Sequence, residues 1–86
     1  MIIGRVYGSV VSTHKLRGLV GYKFMQVQCI ENGKLIDKYL TAVDGVGAGI
    51  GEDVIITTGS SARVALDREN VPVDAVIVGI LDEKQC

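Results

Sequence analysis

The sequence predicts a small all-β fold, a barrel of short curved strands with one brief helix, and three observations carry that prediction. Eleven glycines and a single proline are spread along 86 residues rather than clustered. They punctuate short runs rich in β-branched residues, and several of those runs alternate with a period of two. A chain of this length makes one domain, residues 1–86, with no room for a second core.

The first strand is expected over residues 2–11. Ile2, Gly4, Val6, Gly8 and Val10 fall on one face and Ile3, Arg5, Tyr7, Ser9 and Val11 on the other. Glycine alternating with aliphatic residues suits the tight interior of a strongly curved barrel. Residues 12–18, closed by Gly21, form a polar connector and read as a surface loop. Residues 22–30 alternate again, with Met25, Val27 and Cys29 opposite Phe24, Gln26 and Gln28. Asn32-Gly33 then supplies the two positive-φ positions of a type I′ turn. The returning strand, residues 35–43, carries charge on both faces, so neither face is expected to be wholly dry.

A glycine-rich stretch, residues 45–51, separates that hairpin from a short strand at residues 53–58. Gly59-Ser60-Ser61 reads as the N-cap of a two-turn helix from Ala62 to about Asn70, which Pro72 stops. The last strand, residues 73–81, is almost entirely apolar, which predicts burial on both faces, one of them against another subunit. Residues 82–86 are expected to be a flexible tail.

Composition narrows the function. Apolar residues are 48% of the chain and mean hydropathy is +0.34. A domain of this size hides only about 60% of the surface its unfolded chain exposes, so apolar surface should be left over. Small domains commonly compensate with disulfides, a metal or a partner subunit. Cys29 and Cys86 make no spaced framework and no cluster with the single histidine, His14, so neither a disulfide scaffold nor a metal site is written, and a reducing cytosol fits. Arg5 interrupts any signal-peptide core, and no window is long enough to span a bilayer, so a soluble, untargeted chain with no membrane partner is expected.

Charge is uneven. Residues 1–43 hold six Lys/Arg against two Asp/Glu, a surplus of +4, whereas residues 44–86 hold three against eight, a surplus of −5. The halves either neutralise each other within one fold or set a basic face against a neighbour's acidic face in a head-to-tail ring. The pI of 5.7 disfavours a nucleic-acid surface, for which basic domains are the rule.

The motifs describe no catalytic, cofactor or metal site. The glycine run fails both phosphate-binding templates, and a strand rather than a helix follows it, so Gly45, Gly47, Ala48, Gly49 and Gly51 read as a close-packing loop or one lying at a symmetry axis. A charge at Ala48 or bulk at Gly49 is therefore expected to harm assembly more than folding. Ser60 and Ser61 lack the closing glycine of a nucleophile elbow, since Arg63 stands there. They act as a cap, with a weak anion site at the helix start as the alternative. A hydrolase built on either serine with His14 is a third-ranked reading, as nothing orients the imidazole. The carboxylates Asp44, Glu52, Asp53, Asp67, Glu69, Asp74 and Asp82 have no paired spacing and read as turn and strand ends. Tyr7, Tyr22, Phe24 and Tyr39 with Arg5, Lys15, Arg17 and Lys23 could form an oligonucleotide face in the basic half, which makes a single-stranded nucleic-acid module the rival from another class. Cys29 is simplest as a core residue and Cys86 as a tail thiol.

Five segments taken in order resemble the bacterial microcompartment vertex proteins of the EutN/CcmL type: residues 6–15 (VYGSVVSTHK), 21–28 (GYKFMQVQ), 42–52 (AVDGVGAGIGE), 59–63 (GSSAR) and 72–80 (PVDAVIVGI). The departures are mild, with Phe24-Met25 where leucines are commoner and Gly45 where alanine is usual. The resemblance implies an OB-like barrel that assembles as a cyclic homopentamer in the cytoplasm. It also implies a structural role without catalysis or cofactor: capping the five-fold vertices of a metabolosome or carboxysome shell whose facets are hexameric shell proteins. Within such a ring, Arg63 and Asp74 are candidates for intersubunit ion pairs and the 45–51 loop for the ring's centre.

Overall fold

In a computed structural model, which describes residues 1–10, 22–59, 62, 65 and 74–81, five strands close into a barrel. They are β1 (Ile2–Val10), β2 (Phe24–Glu31), β3 (Lys34–Asp44), β4 (Asp53–Thr58) and β5 (Ala75–Ile80). The order round the barrel is β1-β2-β3-β5-β4, closed by β4 on β1. All pairs are antiparallel except β3 with β5, which run parallel through Val43–Val76 and Asp44–Ile77. A closed all-β barrel is what the composition and periodicity predict, and its OB-like arrangement is what the family resemblance implies.

Val6, Met25, Val27, Ala42, Val54, Ile56 and Ile77 point inward and make the main core. Full burial of a side chain of this size contributes about 1.5–3 kcal/mol. Gly4 belongs to the same face because nothing larger fits, since a Cβ there would lie 2.8 Å from the Gln28 carbonyl oxygen and against the Val27 side chain. A second, smaller cluster lies on the other side of the sheet, where Val43 and Val76 pack with Phe24, Tyr22 and Val78 around Ala62.

The period-two reading of β1 fails after Val6. Arg5 pairs with Gln28 and Val6 with Val27, but Gly8 then pairs with Gln26 and Ser9 with Met25, so Tyr7 is the extra residue of a bulge. One inserted residue exchanges the faces of everything that follows, and Gly8 and Val10 stand with Gln26 and Phe24 rather than with Val27 and Met25. The β2–β3 turn agrees with expectation, for Asn32 has φ 53° and Gly33 φ 77° between the paired Glu31 and Lys34. Beyond the barrel this hairpin continues as an arm in which Lys34, Leu35, Asp37, Lys38 and Tyr39 are all exposed, as charge on both faces implied. Its bulge opposite Cys29 is bridged by the Gln28 side-chain amide, whose Nε2 donates to the Ile36 carbonyl at 2.9 Å.

β4 has the predicted span. β5 is buried on both faces at its centre, but within the chain: Ile77 enters the main core while Val76 lies in the cluster around Ala62. No second subunit is needed to cover those two side chains. Ala62 and Ala65 are helical, and the remainder of the expected helix, like the 12–21 connector and the 82–86 tail, lies outside the described residues. No helix among the described residues is long and apolar enough to cross a membrane.

Candidate functional site

The connection from β3 to β4 is a bow whose shape comes from two carboxylates. Asp44 ends β3, and its Oδ1 accepts hydrogen bonds from the backbone N–H groups of Val46 (3.0 Å), Gly47 (2.9 Å) and Ala48 (3.1 Å). At the far end Glu52 turns its Oε1 back to the N–H of Gly49 at 2.6 Å, while its own N–H donates to the Gly49 carbonyl at 3.2 Å. Four consecutive backbone donors are thus satisfied by side-chain oxygens instead of a neighbouring strand. Bonds to an ionised acceptor are the stronger kind.

Three further contacts seat the bow on the barrel. Gly45 N–H donates to the Ile77 carbonyl at 3.1 Å, Gly51 N–H to the Val6 carbonyl at 2.7 Å, and Val6 N–H to the Glu52 carbonyl at 3.0 Å. The approach at Gly45 excludes a side chain, because a Cβ would stand 2.8 Å from the Ile77 oxygen. Gly51 has φ +91°, in the region that L side chains rarely adopt. Between these anchors Ala48 turns inward and joins the main core, 3% exposed, whereas Val46 and Ile50 on either side of it turn outward, 45% and 67% exposed.

Ala48 corrects one expectation. Its side chain is enclosed by its own barrel, so a charge there opposes folding before it can oppose assembly. Gly45 makes a close backbone approach to Ile77, whereas a Cβ at Gly47 or Gly51 would meet nothing within 4 Å and those two positions have positive φ instead. What sequence reasoning missed is the role of Asp44, which it reads only as a turn or strand end; an aspartate immediately before a glycine-rich turn is a known acceptor for the following N–H groups.

Of the other candidates, Asp74 is exposed at the start of β5 and its carbonyl accepts from Gly59 N–H at 2.8 Å. Ser60, Ser61 and Arg63 lie outside the described residues, as do His14 and Cys86. Cys29 is buried in β2, as a core residue should be. The aromatic set proposed for nucleic acid is divided: Tyr22 and Phe24 pack into the smaller cluster, and Tyr7 meets Tyr39 edge to face, with ring centroids 5.8 Å apart. The Tyr39 hydroxyl is held above the ordinary tyrosine value, first by desolvation and then by its hydrogen bond to Asp37 and that carboxylate's charge. Arg5 is paired with Asp53 through Nε–Oδ1 at 2.7 Å, so part of the charge asymmetry is neutralised within the chain. Among the described residues no group of acidic, histidine and cysteine side chains could hold a metal ion.

The arrangement defines a small closed barrel with a braced apolar bow and no assembled catalytic constellation among the described residues. The family described as ethanolamine utilisation protein EutN/carboxysome matches residues 1–82, and the chain belongs to it. The carboxysome shell vertex protein CcmL of Gloeobacter violaceus is 49% identical over 83 residues, covering 95% of this chain and 83% of that protein. The microcompartment shell vertex protein PduN of Salmonella typhimurium is 41% identical over the whole of both chains. Among solved structures, the pentameric microcompartment shell protein GrpN from Rhodospirillum rubrum superposes with a TM-score of 0.87 at 41% identity, covering 95% of this chain and 94% of its own. These relatives are named as structural shell proteins rather than enzymes, and none is named for binding nucleic acid.

Proposed function

We infer that this protein is a structural subunit whose homopentamers cap the five-fold vertices of a bacterial microcompartment shell in the cytoplasm. The observation that carries the inference is family membership along residues 1–82, with relatives named as shell vertex proteins and one of them described as pentameric. The role is geometric. Sheets of six-fold units lie flat, and five-fold units inserted among them let the sheet close round its enclosed enzymes. Hexameric shell proteins are accordingly the partners at the pentamer's rim.

Cyclic rings are built from heterologous contacts, in which one patch of a subunit meets a different patch of the next. The exposed apolar side chains available for this include Ile3, Tyr7, Leu35, Tyr39, Val46, Ile50 and Ile80. The 45–51 bow is the candidate for the contact nearest the ring's centre, and Arg63 with Asp74 for an intersubunit ion pair. Light scattering over a dilution series tests the reading. Five copies of a 9.2 kDa chain give a species of about 46 kDa that persists on dilution; a stable monomer would overturn it.

A further inference from the structure

We propose that Asp44 is the positioning residue of ring assembly: its carboxylate, with that of Glu52, holds the 45–51 bow in the shape that presents Val46 and Ile50 to a second copy of this chain. The proposal rests on the ring reading and adds to it a residue that acts through the bow rather than by touching the neighbour.

The bow is a segment that should not be ordered by its own propensities. Four of its seven residues are glycine, which lose the most backbone freedom when fixed. Yet every N–H from Val46 to Gly49 is held by a carboxylate oxygen at 2.6–3.1 Å, and Ala48 is pinned in the core. With Ala48 turned into the core, Val46 and Ile50, two residues to either side of it, stand outward. The side chains so displayed are two branched aliphatics, one of them 67% exposed, on a backbone that loses little further freedom on contact.

Charge selects the occupant. From residue 44 to residue 52 the only ionised side chains are Asp44 and Glu52, both negative, while residues 1–43 of the same chain carry a +4 surplus, of which Arg5 is paired with Asp53 within the chain. Opposite signs on different parts of one chain suit a head-to-tail contact between copies, and an acidic rim round an apolar centre fits such a neighbour better than it fits nucleic acid or an anionic membrane.

The test compares the full chain with Asp44→Ala, Asp44→Asn and Ile50→Ser, reading ring mass by light scattering during dilution and the barrel by circular dichroism and thermal unfolding. Loss of hydrogen bonds to a charged acceptor should raise the concentration at which the Asp44→Ala ring half-dissociates about tenfold or more while the strand spectrum persists. Asp44→Asn, which keeps one carbonyl oxygen as acceptor, should restore most of the loss. Ile50→Ser should dissociate rings without lowering barrel stability, since the barrel does not bury that side chain; it decides the matter should Asp44→Ala not fold. Wild-type rings matched in dilution behaviour by Asp44→Ala and Ile50→Ser would overturn the proposal alone, as would an Asp44→Asn variant no better than Asp44→Ala. A monomeric wild type would remove the ring reading and this proposal with it.

Discussion

The 45–51 bow and the β2–β3 hairpin arm both leave the barrel wall, and they are ordered by different forces. The arm is local: a two-residue type I′ turn and a cross-strand ladder shape it, and its exposed side chains contribute little to that shape. The bow has no ladder of its own. It depends on Asp44 and Glu52 at its ends, on the Ile77 and Val6 carbonyls beneath it, and on one buried methyl group at Ala48. A segment held by remote contacts should be fragile at each of them, whereas one held by its turn should yield only at the turn.

Ala48→Asp should produce the largest effect, because it places an unpaired carboxylate in the main core. A loss of several kcal/mol is expected, on the order of the 3–5 kcal/mol for an uncompensated buried charge, and urea unfolding of the variant should show little or no folded baseline. A variant that folds normally would mean that the bow can swing Ala48 out, and the contrast between bow and arm would collapse.

Gly45→Ala comes next. The added Cβ must displace either the Ile77 carbonyl or the bow itself, at about 1–3 kcal/mol by the usual cost of overpacking. A lowered midpoint of thermal unfolding checks it. The same substitution asks how tightly the start of the bow is held against β5. No change in midpoint would show that the approach relaxes freely.

Asn32→Ala should be smallest and confined to the arm. Asparagine tolerates φ 53° through local hydrogen bonding, and alanine there costs about 1–2 kcal/mol. Amide exchange should quicken between Gln28 and Tyr39 while the protection of β4 and β5 stays unchanged. Faster exchange in the bow as well would show that the two regions are coupled.

The strand pattern was largely legible because period-two alternation survives wherever one face of a sheet is buried. It located β2, β3 and β4 and the turn at Asn32-Gly33. It misassigned the end of β1, since a bulge at Tyr7 leaves no compositional mark: Gly8 and Val10 look as apolar as Gly4 and Val6, and only the pairing with Gln26 and Phe24 exposes the exchange of faces. It read the double burial of β5 correctly, but a nearly unbroken apolar strand does not say which element lies over it, and the cover of Val76 and Ile77 comes from within the chain. The glycine run was read as close packing without its organiser, since the use of Asp44 depends on where the next four N–H groups point.

Sequence alone thus determined the all-β class, the hairpin, the absence of a written catalytic or metal motif and the resemblance to the EutN/CcmL family. Those properties depend on local propensity, spacing and residue type. Tertiary structure alone decided that Ala48 faces its own core, that Arg5 is tied to Asp53, that Tyr7 shifts the register and that Val46 and Ile50 stand outward. Each of these depends on which residues distant in the chain arrive beside them, and barrel closure brings Val6 and Ile77 to the bow across more than twenty intervening residues.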